Sequence, residues 1–331
     1  MSSLLRLFAA LFIITLLIAG MFSYILFAPQ SSDTSTVRYT VNQDDTVDDV
    51  AKGLADSGVI MNDGIFRFVW KLEGAGLIQV GTYTIPKSVS MHALYRLLRV
   101  GPDRTEISIR IIEGWTTQQI AEYIASNNLV TVDEFSKAVR QDWSNEYPFL
   151  AGLPAANTLE GYLFPDTYRI FEDADSKIVI RKMLDNFGEK MTEDMRREAQ
   201  SQGYTIHQIV TLASIIEREV TSDQDRRMVS DIFRRRLNLG MPLQADSTIN
   251  FITGKKDPQA KSVDLAIDSL YNTYKYKGLP PGPIGNPGLS SLRAALYPIK
   301  NDFLFFLTDT KGNVYYSKTF EEHKKKKLQY L

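Results

Sequence analysis

The chain has 331 residues, with 38 Lys and Arg against 39 Asp and Glu, 44% hydrophobic residues and no cysteine. That length supports about two domains with cores of their own, and the ordinary composition excludes global disorder and collagen-like repetition. A formal net charge of -1 excludes the positive excess of a nucleic-acid binder, and the missing cysteines exclude disulfides, Fe–S centres and Cys zinc sites.

Residues 7–28, LFAALFIITLLIAGMFSYILFA, carry no charge. At 1.5 Å per residue the stretch is about 33 Å long, which predicts an uncleaved transmembrane helix behind a tail of residues 1–6. A cleaved signal peptide fits less well, because the run exceeds the usual length and no A-x-A site follows. Arg6 before the helix points the N-terminus to the cytoplasm and the body to the outside. Residues 29–36 then read as a polar stalk.

Two segments repeat at a spacing of seventy residues, Val37 to Ile60 and about Glu106 to Val130. Each opens with strand alternation, places a threonine suited to an N-cap (Thr46, Thr116), and continues with helical spacing. Phe66 and Phe135 each start a further short helix. Between the copies, Gln79 to Pro86 predicts a strand and Met91 to Gly101 a helix stopped by glycine. The pattern suits a packing unit or a strand–helix–helix–strand module that grips glycan. His92 reads as structural on its leucine-rich helix, and the three histidines form no zinc pattern. Residues 37–105 are expected to form the first module, residues 106–157 the second copy and a turn-rich junction, and residues 158–331 a larger α+β domain.

The chemistry is expected between His207 and Phe251. Ile209, Leu212, Ile216 and Val220 define a core helix, with Glu217 standing over its small and apolar neighbours Ser214, Ala213 and Val210. Desolvation favours the protonated form of such a carboxyl, which suits a general acid. Glu219 leaves the helix about 200° away, so helix geometry predicts that only one of the two faces a given site. A solvated pair neutralised by Arg218, Arg226 or Arg227 is the bland alternative. Polar residues follow in PLQADSTINF (Gln244, Asp246, Ser247, Thr248, Asn250). A stiff loop of prolines and glycines between Gly278 and Gly288 comes next, led in by Tyr271, Asn272, Thr273, Tyr274 and Tyr276, which suit sugars. Glu160, Asp166 and Tyr168 cluster around Gly161 and Pro165. The C-terminus predicts two strands around an Asp-Thr-Lys-Gly turn, then a helix whose run from Lys324 to Lys327 is a solvated face or a contact for an anionic polymer.

These residues resemble the YceG-like (MltG) family of membrane-anchored endolytic murein transglycosylases. The resemblance rests on EGYLFPDTY (Glu160 to Tyr168), ASIIERE (Ala213 to Glu219), LQADSTI (Leu243 to Ile249), YNTY followed by GLPPGPIGNPG (Tyr271 to Gly288), and Phe320 with His323. It covers nearly the whole chain. It implies a LysM-like α/β module ahead of the larger α+β catalytic domain, with the catalytic glutamate falling on Glu217. Glu160, Asp166, Tyr168, Ser214, Glu219, Gln244, Asp246, Asn272 and Tyr274 then bind substrate or support the cleft. The implied reaction cleaves the β-1,4 bond from N-acetylmuramic acid to N-acetylglucosamine without water, leaving a 1,6-anhydromuramyl end and terminating nascent strands. No cofactor, metal or nucleic acid is called for. The implied partners are peptidoglycan strands and, at the bacterial inner membrane, wall-synthesis polymerases and penicillin-binding proteins. A hydrolytic muramidase using Asp246 or Glu160 as second carboxylate, and an inactive glycan-binding scaffold, are the competing readings.

Overall fold

The computed structural model describes residues 2–74, 76–102, 105–151, 153, 159–255 and 261–331, without the side chains of 2–7, 9 and 10. The chain divides into two units, Met1–Thr105 and Glu106–Leu331. The expected boundary at 157/158 lies outside the described residues.

The first unit runs α1 (Ser2–Phe27), β1 (Thr36–Val41), α2 (Val47–Asp56), α3 (Asp63–Leu72), β2 (Gly81–Pro86) and α4 (Met91–Val100). β1 and β2 pair antiparallel from Thr36 opposite Pro86 to Val41 opposite Gly81. Thr46 caps α2 reciprocally with Asp49: each side chain bonds the other residue's backbone N–H, so two donors are satisfied at once. Val50, Leu54, Phe66, Trp70, Tyr83, Ile85, Leu94 and Leu98 fill the core.

The α+β expectation fits, but its membrane-spanning part does not. Among the described residues no helix is long and apolar enough to cross a membrane. The end of α1 instead joins the core of the unit: Leu26 is buried, Phe22 packs beside it, and the Phe27 ring lies 5.2 Å from that of His92. The expected transmembrane helix over 7–28 is therefore corrected. With it go the inner-membrane, single-pass location, the cytoplasmic N-terminus and the extracytoplasmic body that were read from it.

The second unit begins with β3 (Glu106–Arg110), α5 (Thr117–Ser126) and α6 (Val132–Ala138), then reaches β4 (Thr167–Phe171). β3 pairs antiparallel with β4, Glu106 opposite Phe171. The strand–helix–helix–strand order thus occurs again, with the EGYLFPDT segment inserted before its closing strand. Thr116 caps α5 with Gln119 in the same reciprocal way as Thr46. Six helices follow: α7 (Ser176–Lys190), α8 (Glu193–Ser201), α9 (Ile206–Glu219), α10 (Asp223–Asn238), α11 (Asp246–Thr253) and α12 (Leu289–Leu296). The hairpin of β5 (Phe305–Thr308) and β6 (Val314–Ser317) and the last helix α13 (Phe320–Tyr330) complete the unit. Every residue of α9 from Ile209 to Ile216 is buried, as expected of a helix enclosed on all sides. Its C-terminal end alone opens onto a cleft.

Candidate active site

The cleft occupies about 1310 Å³ in the second unit, and the last turn of α9 forms part of its wall. Glu217, Arg218 and Glu219 all line it. This departs from the expectation that only one glutamate faces a site. Their directions do differ, Glu217 toward Arg226 and Gly288 and Glu219 toward Ser247, but the cleft is wide enough to take in both.

The two carboxylates have different surroundings. Glu217 accepts from the Arg226 guanidinium at 2.7 Å on Oε1 and from the Gly288 N–H at 2.9 Å on Oε2. Both side chains are nearly sealed, 5% exposed for Glu217 and 11% for Arg226. Glu113 stands alongside, its carboxyl pushed above the usual range by burial and then by the Glu217 charge. Glu217 therefore holds α9, α10 and the end of the proline loop together.

Glu219 meets α11 instead. The Ser247 hydroxyl donates to Oε1 at 2.6 Å and the Ser247 N–H at 3.3 Å. Burial pushes the Glu219 carboxyl up to about 7; the Ser247 bonds act against this, and the Asp246 charge adds to it. Asp246 in turn accepts from the Tyr274 hydroxyl at 2.6 Å. Burial, followed by the bond to Asp246, raises the Tyr274 phenol, so that hydroxyl remains a donor. The Glu219 carboxyl, whose protonated form burial favours, thus stands next to Asp246 with the Tyr274 hydroxyl donating to it.

Other expected residues build the walls. Glu160 lines the cleft, accepts the Thr117 N–H at the start of α5 at 3.0 and 3.1 Å, and is pushed up to about 7 by burial. Ser214 donates to Thr211 O and accepts the Ile284 N–H at 3.0 Å, seating the proline loop. Asn272 is fully buried and donates to Leu265 O and Ile267 O at 2.9 Å, a brace for its own loop. Asp166 and Tyr168 share Asn186 at 3.0 and 3.1 Å, and the Tyr168 hydroxyl bonds Phe164 O. Ser214, Asn272, Asp166 and Tyr168 are not on the cleft surface, whereas Glu160, Glu217, Glu219, Gln244, Asp246 and Tyr274 are.

Sequence reasoning missed the fastening behind the site. Arg218 donates twice to Gly114 O, at 3.1 and 2.9 Å. Buried Asn286 accepts the Leu163 N–H at 2.8 Å and donates to Trp115 O at 2.9 Å. Its backbone exchanges bonds with Gly114 and Trp115 at 2.7 and 2.8 Å. The one available signal was EGW at Glu113 to Trp115, a glycine between an acid and an aromatic ahead of a capped helix. Among the described residues no group of acids and histidines could hold a metal ion.

The YceG-like family model matches residues 39–329, a range that contains Glu160, Glu217, Glu219, Gln244, Asp246 and Tyr274 of the cleft. An endolytic murein transglycosylase of Bacillus subtilis (strain 168) is 34% identical, covering 96% of this chain and 91% of the relative. One from Streptococcus pneumoniae serotype 2 is 29% identical over 91% of this chain, which spans 60% of that relative's length. A 2.6 Å crystal structure of a yceG-like protein from Listeria monocytogenes superposes with a TM-score of 0.61 at 33% identity, over 88% of this chain and 99% of that one. Family model, relatives and solved fold agree over nearly the full length, and the chain belongs to the YceG-like family.

Proposed function

We propose that this chain works as an endolytic murein transglycosylase in which Glu219 carries the reactive proton. The activity is the one named for its curated relatives, and the substrate is peptidoglycan. The observation that carries the assignment is the Glu219 carboxyl, buried on the cleft wall against Ser247 and raised to about 7. We prefer Glu219 to Glu217, where the family resemblance puts the catalytic role, on the ground that both Glu217 oxygens serve Arg226 and Gly288.

Glu219 first protonates the glycosidic oxygen between N-acetylmuramic acid and N-acetylglucosamine, and the C1–O bond breaks. As carboxylate it then takes the proton of the muramic C6 hydroxyl, whose oxygen attacks C1 within the same sugar. One carboxyl serves both steps because the nucleophile is internal and needs no second base over a water. Asp246, oriented by Tyr274 on the wall of the same cleft, would steady positive charge developing at C1. Glu160 and Glu217 keep the walls in place. Wall-synthesis polymerases, among them penicillin-binding proteins, are the partners this reading implies, since they make the strand that the cleft receives.

The test is mass spectrometry of murein digested by the wild type, Glu219→Gln and Glu217→Gln. Products one water lighter than the reducing muropeptide, lost in Glu219→Gln, support the reading. Reducing ends in their place would assign water as the nucleophile and make the enzyme a muramidase.

A further inference from the structure

Among the described residues only Asn128 and Gln244 have a left-handed φ without being glycine, 56° and 51° respectively. Asn128 follows the end of α5, where a short amide side chain tolerates that conformation. Gln244 has no such excuse, and its backbone is forced from three sides. The Leu243 carbonyl is held by Arg236 at 2.7 Å, the Gln244 N–H by Thr273 O at 3.0 Å, and the Ala245 N–H by Thr273 Oγ1 at 3.0 Å. A sparsely populated backbone conformation persists only when its surroundings over-determine it, and such residues concentrate at functional sites.

The outcome is a side chain put on display. Leu243 and Ala245 are buried, while Gln244 between them is exposed and lines the cleft two positions before Asp246. Among the described residues its carboxamide takes no hydrogen-bond partner. A carboxamide offers one acceptor oxygen and an N–H donor pair, the complement of a secondary amide. Phe251 lines the same cleft and supplies apolar surface. Donor, acceptor and apolar surface match the N–H, C=O and methyl of an acetamido group.

We infer that Gln244 is a specificity-determining residue that recognises the acetamido group of an N-acetylated sugar in the cleft. This rests on the transglycosylase reading and deepens it. A stem-peptide amide presents the same donor and acceptor, so the experiment separates the two sources. The full chain, Gln244→Ala and Gln244→Gly are assayed for kcat/KM on intact murein, on glycan strands stripped of stem peptides, and on stripped strands after chemical N-deacetylation. Glycine adopts positive φ freely, so the second variant guards against misfolding. The expected result is a wild-type preference of at least about tenfold for acetylated over de-N-acetylated strands, collapsing to about twofold or less in both variants. Equal cutting of both stripped strands by the wild type, or a preference that both variants keep, overturns the assignment. Wild-type cutting of intact murein but not of stripped acetylated strands gives the amide to the stem peptide and also overturns it. A wild type that cuts none of the three substrates sinks the transglycosylase reading itself, and the assignment falls with it.

Discussion

A carboxyl serves as a general acid only while it holds a proton near the working pH, and burial gives Glu219 that property. Glu219→Gln is expected to remove at least ~100-fold of the rate on murein while leaving the circular dichroism spectrum intact. Glu217→Gln is expected to act first on stability: it discharges one member of a sealed pair, a loss on the order of 3 kcal/mol by denaturant titration. A Glu217→Gln protein as stable as the wild type but inactive would return the proton to Glu217. Helical phase correctly put both residues at the end of a core helix. It tells only which way a side chain leaves the helix, however, and not what it meets. The Glu217 partners are nine and seventy-one positions on, and the Ser247 that holds Glu219 is twenty-eight positions on, distances at which periodicity carries no information. The same limit explains Asn272. An amide in a tyrosine-rich run reads as a sugar contact, whereas its two loop carbonyls exist only once the chain has closed.

At the scale of elements, the repeat was the most legible feature. Thr46 and Thr116 both became reciprocal N-caps behind a strand, because capping depends on residues only three positions apart. Replacing either by alanine is expected to cost about 1 kcal/mol in chemical denaturation. Not legible was the closing strand of the second copy, since β4 pairs with β3 from sixty residues away. The loops that meet behind α9 were equally hidden. A Cβ at Gly285 would lie 2.6 Å from the Gly114 carbonyl oxygen, and neither partner is a movable side-chain tip. Gly285→Ala must therefore separate the EGW turn from the proline loop, displacing the seat of Arg218. An activity loss of about 10- to 100-fold, with the cooperative unfolding transition retained, is the expected outcome. Wild-type activity would show that the two loops move apart without disturbing the cleft.

At the scale of the molecule, each unit has a core of its own, and the buried acids of the second unit set how its stability responds to pH. Counting apolar letters suggested a membrane span at the N-terminus but gave no sight of Leu26 in a core; counting charges gave no sight of Glu160 and Glu219 under cover. Burial pushes both carboxyls up to about 7, against roughly 4.3 for a glutamate in an unfolded chain. Between those values the folded chain keeps protons that the unfolded chain has released, so stability falls as pH rises. The stabilisation is fully present below about pH 4 and is lost through about pH 7, on the order of a few kcal/mol for each group. Thermal midpoints are therefore expected to decline between about pH 5 and about pH 8. Glu160→Gln should remove part of the slope, and Glu160→Gln with Glu219→Gln most of it. Catalysis distinguishes the two acids: the alkaline fall in kcat/KM near pH 7 should persist in Glu160→Gln, because only Glu219 donates the proton. An alkaline limb that moves with Glu160→Gln instead would make Glu160 the acid, and an unchanged stability slope in the double variant would locate the titration outside this cleft.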